Sequence, residues 1–292
     1  MLQDDIRRHY ESEWQKTADA AATGGLRYSS PVEDAVLYPA YARLIADLRL
    51  VDEAKSVLDV GAGSGRWVRF FTQHLPALAK LTPRRLVGVD FAESSVRLLR
   101  EHYGTSGPAT AGVETRFDVC DITAPELDLG ETFDLINIAN VLFHIPEPDR
   151  FASALRNLAA HLSPGGRIVT TEYLPRVTMR TQWMLVRSRY DFAAAADAAG
   201  LKIVDTRAFC FFANDPMGLD GPDAAGEFGA RGHFNRVRAM SQQLLAAASD
   251  AGTRQFFVDL LAEIERAAVA FARERVAECD LPSQKLVVLA RK

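Results

Sequence analysis

Asp59-Val60-Gly61-Ala62-Gly63-Ser64-Gly65 is the stretch whose residue types and spacing most directly imply chemistry. Three glycines alternating with small residues permit positive φ and let a ligand approach the main chain closely. Arg66-Trp67-Val68-Arg69-Phe70-Phe71 then opens a helical pattern, and the N–H groups at a helix start have no partner within the helix. The dinucleotide fingerprint G-x-G-x-x-G would place its third glycine where Arg66 stands. Asp59, two residues before the first glycine, sets a carboxylate at the end of the preceding strand. That carboxylate would repel a pyrophosphate and suits a cation.

Other polar residues fall where apolar runs end. Asp90 follows Arg85–Val89, Asp121 follows Thr115–Val119, Asn140 and His144 follow Phe133–Ala139, and Glu172 follows Arg167–Thr171. In an open α/β sheet, ligands bind outside the carboxyl ends of the strands. His144 and Glu172 are the candidates for accepting a proton. Each residue also has a plainer reading: Asp90 as a solvated acid, Asp121 as a turn former, Phe91 as core, His144 as a backbone partner, Glu172 as a solvent-facing acid. Cys120, Cys210 and Cys279 are far apart and no C-x-x-C or H-E-x-x-H exists, so neither a metal site nor a disulfide framework is expected.

The elements that must position these groups can be read from periodicity. Strands are expected at 57–60, 85–89, 115–119, 133–139, 167–171 and within 201–212, alternating with helices at 65–74, 93–103, 148–162 and 189–199. Such alternation implies a doubly wound α/β sheet. Residues 4–18 read as a helix carrying Tyr10 and Trp14 on one face. Ser30-Pro31-Val32-Glu33 reads as a helix start, with Pro39 expected to kink or restart that helix. Residues 213–232 read as a loop, 234–248 as helical, and Thr253 as the cap of a long helix to about 278. Gln284 to Ala290 reads as a final strand.

The chain has 292 residues, 48% of them hydrophobic, and a formal charge of −4. That is the composition of an ordinary globular protein, with no broad basic footprint for nucleic acid. The first residues lack the apolar core of a signal peptide and no run approaches a membrane span. The sequence is therefore read as cytoplasmic.

The glycine stretch resembles motif I of the class I S-adenosylmethionine-dependent methyltransferases, and three further markers follow in that family's order. The resemblance covers roughly 55–212 and 284–292. It implies a seven-stranded, mostly parallel sheet in the order 3-2-1-4-5-7-6, with the last strand antiparallel. It also implies S-adenosylmethionine as cofactor, held by Asp59, Gly61, Ala62, Gly63, Asp90, Phe91, Asp121, Ile122 and Asn140. In the family the acid at Asp90 accepts both ribose hydroxyls, which is a good match of two donors to one carboxylate. Asp121, with Asp118 as a rival, would take the adenine amino group, the next N–H facing the ring. Asn140-Val141-Leu142-Phe143-His144 would line the boundary between cofactor and acceptor.

The expected reaction is in-line methyl transfer to a small molecule, most readily to a hydroxyl of a specialised metabolite or sugar-containing intermediate. N- or C-methylation, a nucleic-acid methyltransferase and a non-catalytic cofactor-binding protein are the alternatives. No Asn-Pro-Pro-Tyr signature follows strand four, which weakens the case for flipped-base chemistry. Tyr10, Trp14, Tyr28 and His233 are candidate acceptor contacts. The chain is divided into a helical lid (1–50), a core (51–213 with 283–292) and a helical insertion (214–282). The insertion closes the acceptor pocket, offers its apolar stripe to a second copy in a homodimer, or is a structural appendage.

Overall fold

The computed structural model describes residues 5, 8–12, 15, 31–104, 112–180, 184–210, 239–241, 243–278 and 283–292. Strands β1 (Ser56–Val60), β2 (Arg85–Asp90), β3 (Glu114–Val119), β4 (Phe133–Ile138) and β5 (Leu162–Glu172) alternate with helices, then β6 (Leu201–Cys210) and β7 (Gln284–Arg291) complete one seven-stranded sheet. The spatial order is β3-β2-β1-β4-β5-β7-β6. β7 runs antiparallel to both β5 and β6, while β1 to β5 pair in parallel. This is the expected order and sense of every strand. A short ribbon pairing Met179–Arg180 with Leu185–Val186 stands apart from the sheet.

Helices among the described residues include α1 (Pro31–Leu48), α2, α3 (Glu93–Tyr103), α4 (Pro148–Ala160), α5 (Arg189–Ala198) and α6 (Ala251–Arg273), where α2 joins Arg66–Arg69, a π-helical Phe70–His74 and Leu75–Ala79 end to end. Alternation along the strands divides the core between two faces. Val57, Leu86, Leu135, Val169, Leu286 and Val288 face α1, α2, α3 and α6. Leu58, Val87, Ile136, Ile168, Val287 and Leu289 face α4 and α5, which contribute Phe151, Leu155, Leu158 and Phe192. α1 is an integral part of the first face, with Leu37, Tyr41, Leu44 and Ile45 all buried.

Several local expectations are corrected. α1 runs through Pro39 as one helix. Proline leaves the carbonyl four residues earlier without its helical donor, and Arg266 of α6 donates to that carbonyl, Ala35 O, at 3.4 Å. β5 begins at Leu162 rather than Arg167, with 163–166 looped out where the register passes from Phe133↔Leu162 to Leu135↔Arg167. α6 is capped by Asp250, whose carboxylate accepts from Thr253 N at 2.8 Å, and it ends at Arg273. Its buried residues are Val258, Ala262 and Glu265, while Leu260, Ile264 and Phe271 of the expected apolar stripe are exposed. Val258 and Ala262 join the same core cluster as the buried residues of α1. The expected Ser30 cap lies outside the described residues.

Candidate functional site

A cavity opens at the carboxyl ends of β1, β2 and β4. Its wall includes Gly61, Asp90, Phe91, Asp121, Ile122, Asn140, His144 and, from the N-terminal segment, Tyr10. Residues from five separate stretches of chain thus meet at one place, as the strand-end positions implied.

The glycine loop turns sharply under this cavity. Gly61 has φ +69°, and its N–H donates to Val89 O at 2.8 Å. A Cβ at Gly61 would collide with the Val141 side chain, so the loop and the segment after β4 can close together only around a glycine. Gly63 N donates to Asp90 Oδ2 at 2.9 Å, and Ala92 N donates to Asp90 Oδ1 at 2.9 Å. Ser95 Oγ closes the ring of contacts by donating to Gly63 O at 2.7 Å. Asp90 therefore braces the loop, with the Ser95 side chain as a further donor. Burial raises its pKa to about 6, against the lowering effect of its backbone donors.

Asp59 is fully buried in β1. Its Oδ1 accepts from Asn137 Nδ2 at 2.7 Å, while its Oδ2 has no hydrogen-bond partner among the described residues. Burial raises its pKa to about 7; Asn137 opposes the rise and the Asp90 charge adds to it. The side chain lies behind the wall formed by Val60 and Gly61 rather than in it.

At the other end of the cavity Asp121 forms a tight turn. Its Oδ1 accepts from Thr123 N at 2.9 Å and Thr123 Oγ1 at 2.6 Å, and Arg150 pairs with its Oδ2 at 3.1 Å. The turn-forming reading and the cavity position hold together. Its rival Asp118 pairs with Arg100 and Arg116 and is not part of the wall.

Asn140 adopts φ +60°. Its N–H donates to Thr171 Oγ1 at 2.8 Å, and its Oδ1 accepts from Thr171 Oγ1 at 2.9 Å and Gln284 Nε2 at 2.6 Å. Those three bonds hold a backbone conformation that a non-glycine residue seldom adopts. His144 ends a short 3-10 turn, Leu142–His144. Arg187 Nη2 donates to Ile145 O at 2.7 Å and steadies that turn. The Tyr10 hydroxyl is 3.0 Å from His144 Nε2, and the Tyr10 ring packs edge-on to both Phe91 and His144.

Glu172 is not brought to the cavity. It is buried and accepts from Thr170 Oγ1 at 3.0 Å. Burial pushes its pKa up to about 8, opposed by Thr170 and by the Arg187 charge. Trp14, Tyr28 and His233 lie outside the described residues. The sequence marks Tyr41 only as one of several aromatic residues that could build an apolar acceptor pocket, whereas it pairs with Asn137 beside Asp59; Asn137 and Arg150, which holds Asp121, were missed. An asparagine inside the otherwise apolar Leu135-Ile136-Asn137-Ile138 run was the one visible signal.

Residues 57–166 match a family described as a methyltransferase domain. Among solved structures, a SAM-dependent methyltransferase from Leishmania major is similar with a TM-score of 0.51 and 18% identity, covering 70% of this chain and 76% of that one. The CcbJ methyltransferase from Streptomyces caelestis has a TM-score of 0.44 and 20% identity, covering 61% and 82%. The N-methyltransferase NodS from Bradyrhizobium japonicum, solved with S-adenosyl-L-homocysteine, has a TM-score of 0.43 and 18% identity, covering 58% and 78%. The comparison with curated proteins gives no match.

Proposed function

We propose, on the premise that its domain at 57–166 makes this chain a class I S-adenosylmethionine-dependent methyltransferase, that the methyl group passes to a hydroxyl of a small molecule. Bound S-adenosylmethionine supplies a methyl group already activated by its sulfonium. The residues present fit that cofactor on two observations. The buried Asp59 Oδ2, unpartnered among the described residues, suits the cofactor's ammonium, reached directly or through a water. The Asp90 carboxylate, in the cavity wall, suits hydroxyl donors. Gly61 and Gly63 bring the main chain close, Phe91 and Ile122 offer apolar surface to a planar ring, and Asp121 can accept from an exocyclic amine.

The pairing of Tyr10 with His144 at the cavity wall carries the reading of a hydroxyl acceptor. A hydroxyl gains nucleophilicity when its proton is accepted as it attacks, and His144 is the one proposed base that lines the cavity. Tyr10 orients the imidazole, while Asn140 keeps its rigid turn between cofactor and acceptor. Alignment within this wall then supplies most of the rate. Methylation of a panel of hydroxylated and amine-bearing small molecules by wild type and His144→Ala tests this. O-methylation lost in the variant, with cofactor affinity kept, is expected. Turnover only on amines, RNA or DNA would overturn it.

The N-terminal segment is proposed as the cover of the crevice. Ser94 N, at the start of α3, donates to Glu11 Oε1 at 3.2 Å, and Arg97 reaches Gln15 at 2.9 Å. The core is assigned to 51–213 with 283–292, and the insertion at 214–282 is proposed to shape the acceptor side. Phe256, Leu260 and Ile264 leave an exposed apolar stripe on α6 that a second copy would bury, and light scattering of the intact chain distinguishes dimer from monomer.

A further inference from the structure

The first face of the sheet is lined by aromatic and aliphatic side chains, yet three polar ones meet inside it. Tyr41 comes from α1, Asn137 from β4 and Asp59 from β1, and all three are essentially inaccessible. Asp59 and Asn137 are register partners on adjacent strands, so their side chains project to the same side. Tyr41 is packed among Trp67, Phe70 and Phe71, with ring centroids 4.8, 5.3 and 6.1 Å away.

The hydrogen bonds among them have a direction. The Tyr41 hydroxyl donates to Asn137 Oδ1 at 2.7 Å. That turns the Asn137 amide so that Nδ2 donates to Asp59 Oδ1, also at 2.7 Å. One carboxylate oxygen is thereby held and the other, Oδ2, is left without a partner among the described residues. Burying such a row has no stability advantage, because apolar groups of the same shape would serve as well or better. An unsatisfied buried oxygen is a further cost. The arrangement makes sense if a ligand completes it.

We infer that Tyr41 and Asn137 are positioning residues for the cofactor, fixing the Asp59 carboxylate so that its second oxygen receives the cofactor's ammonium. The inference rests on the reading above that Asp59 meets that ammonium. It adds that recognition is set from α1, through an amide whose orientation a single tyrosine determines. Neither residue touches the cavity, and both act through Asp59.

The test uses the intact chain and two probes, S-adenosylhomocysteine and its analogue lacking only the amino group, titrated calorimetrically alongside thermal melting. Tyr41→Phe removes one neutral hydrogen bond and keeps the ring, so S-adenosylhomocysteine should bind about three- to tenfold more weakly. Asn137→Leu removes a hydrogen bond to a charge, so the loss should be about tenfold or more. In both variants the analogue should bind as it does to wild type, although both should melt somewhat lower because a buried polar group is left without its partner. Equal weakening toward both probes would mean a structural role and overturn the inference. Undiminished binding of S-adenosylhomocysteine by both variants would do the same. Asp59→Asn keeps the two readings apart. If it loses S-adenosylhomocysteine selectively while the other two variants do not, the Asp59 reading stands and the relay falls. If Asp59→Asn binds both probes as wild type does, both fall. Should Asn137→Leu fail to fold, Tyr41→Phe decides alone.

Discussion

Asp90 and His144 are asked to do different things, and single substitutions should separate them. Asp90 braces the glycine loop through Gly63 and Ala92 and also offers its carboxylate to a ligand from the cavity wall. Asp90→Ala removes both roles, and hydrogen bonds to a charged group are worth about 1.5–3 kcal/mol. Isothermal titration should show S-adenosylmethionine affinity falling by about 10- to 100-fold, and an unchanged affinity would mean that another acid holds the ribose. His144 lines the same cavity and stands against Tyr10. His144→Ala should leave affinity for S-adenosylmethionine within a few-fold and lower kcat on a hydroxyl acceptor by about 10²–10⁴, the usual share of a general base. An equal fall in kcat and in cofactor affinity would show that the imidazole is part of the cofactor's pocket instead. Glu172 drops out at this scale: an acid at a strand end can point to the cleft or into the sheet's covering layer, and nothing in its neighbours' types decides which.

Between elements, the tightest constraint is where the loop after β1 meets the segment after β4. Gly61→Ala should cost stability and cofactor binding together, since it combines positive φ with a clash against Val141. Adding Val141→Ala should relieve the clash but not the backbone strain. A thermal melt of the double variant should therefore recover part of the loss. Full recovery would mean that strain contributes nothing, and no recovery that the contact is unimportant. The glycine loop was legible in the sequence because glycines mark backbone constraints directly, while its contact with Val141 was not, and the strand order followed from the alternation and the family resemblance together. The phase of α6 was not legible. Its apolar residues occupy more than one side, and packing against α1 and β6 buries Val258 and Ala262 rather than Leu260 and Phe271. The unbroken α1 was hidden for a related reason, since the donor to Ala35 O is Arg266, from a helix far along the chain. Tyr41 and Asn137 pair across 96 residues, and no local pattern announces such a pairing.

Taken over the whole molecule, the buried carboxylates make stability and cofactor binding depend on pH in opposite ways. Asp59, Asp90 and Glu172 are raised to about 7, about 6 and about 8 from ordinary values of 3.8, 3.8 and 4.5, each chiefly by burial. Between its ordinary and its raised value, each group holds more proton in the folded chain than in the unfolded one. Folding stability from these groups is therefore full below about pH 4 and is lost as pH rises through the folded values. Asp191 and Asp250 are lowered by their hydrogen bonds, and their contribution is lost only below the ordinary carboxylate range, outside this window. The cofactor-free protein should melt at lower temperature at about pH 8 than at about pH 5.5, each kcal/mol costing roughly 2–4 °C in a domain of 150–250 residues. Ligand donors and positive charge favour the ionised forms of Asp59 and Asp90, so binding should release protons near neutrality. The rise in melting temperature on adding S-adenosylmethionine should then grow from about pH 5.5 to about pH 8. Titration in two buffers of different ionisation heat should report that proton release near pH 7 directly. Glu172, away from the cavity, should keep its share of the pH dependence with or without ligand, and Glu172→Gln should remove that share of the slope between about pH 4.5 and about pH 8. A melting temperature that does not fall across this range, with binding heats independent of buffer, would mean that the three carboxylates are already ionised in the cofactor-free protein.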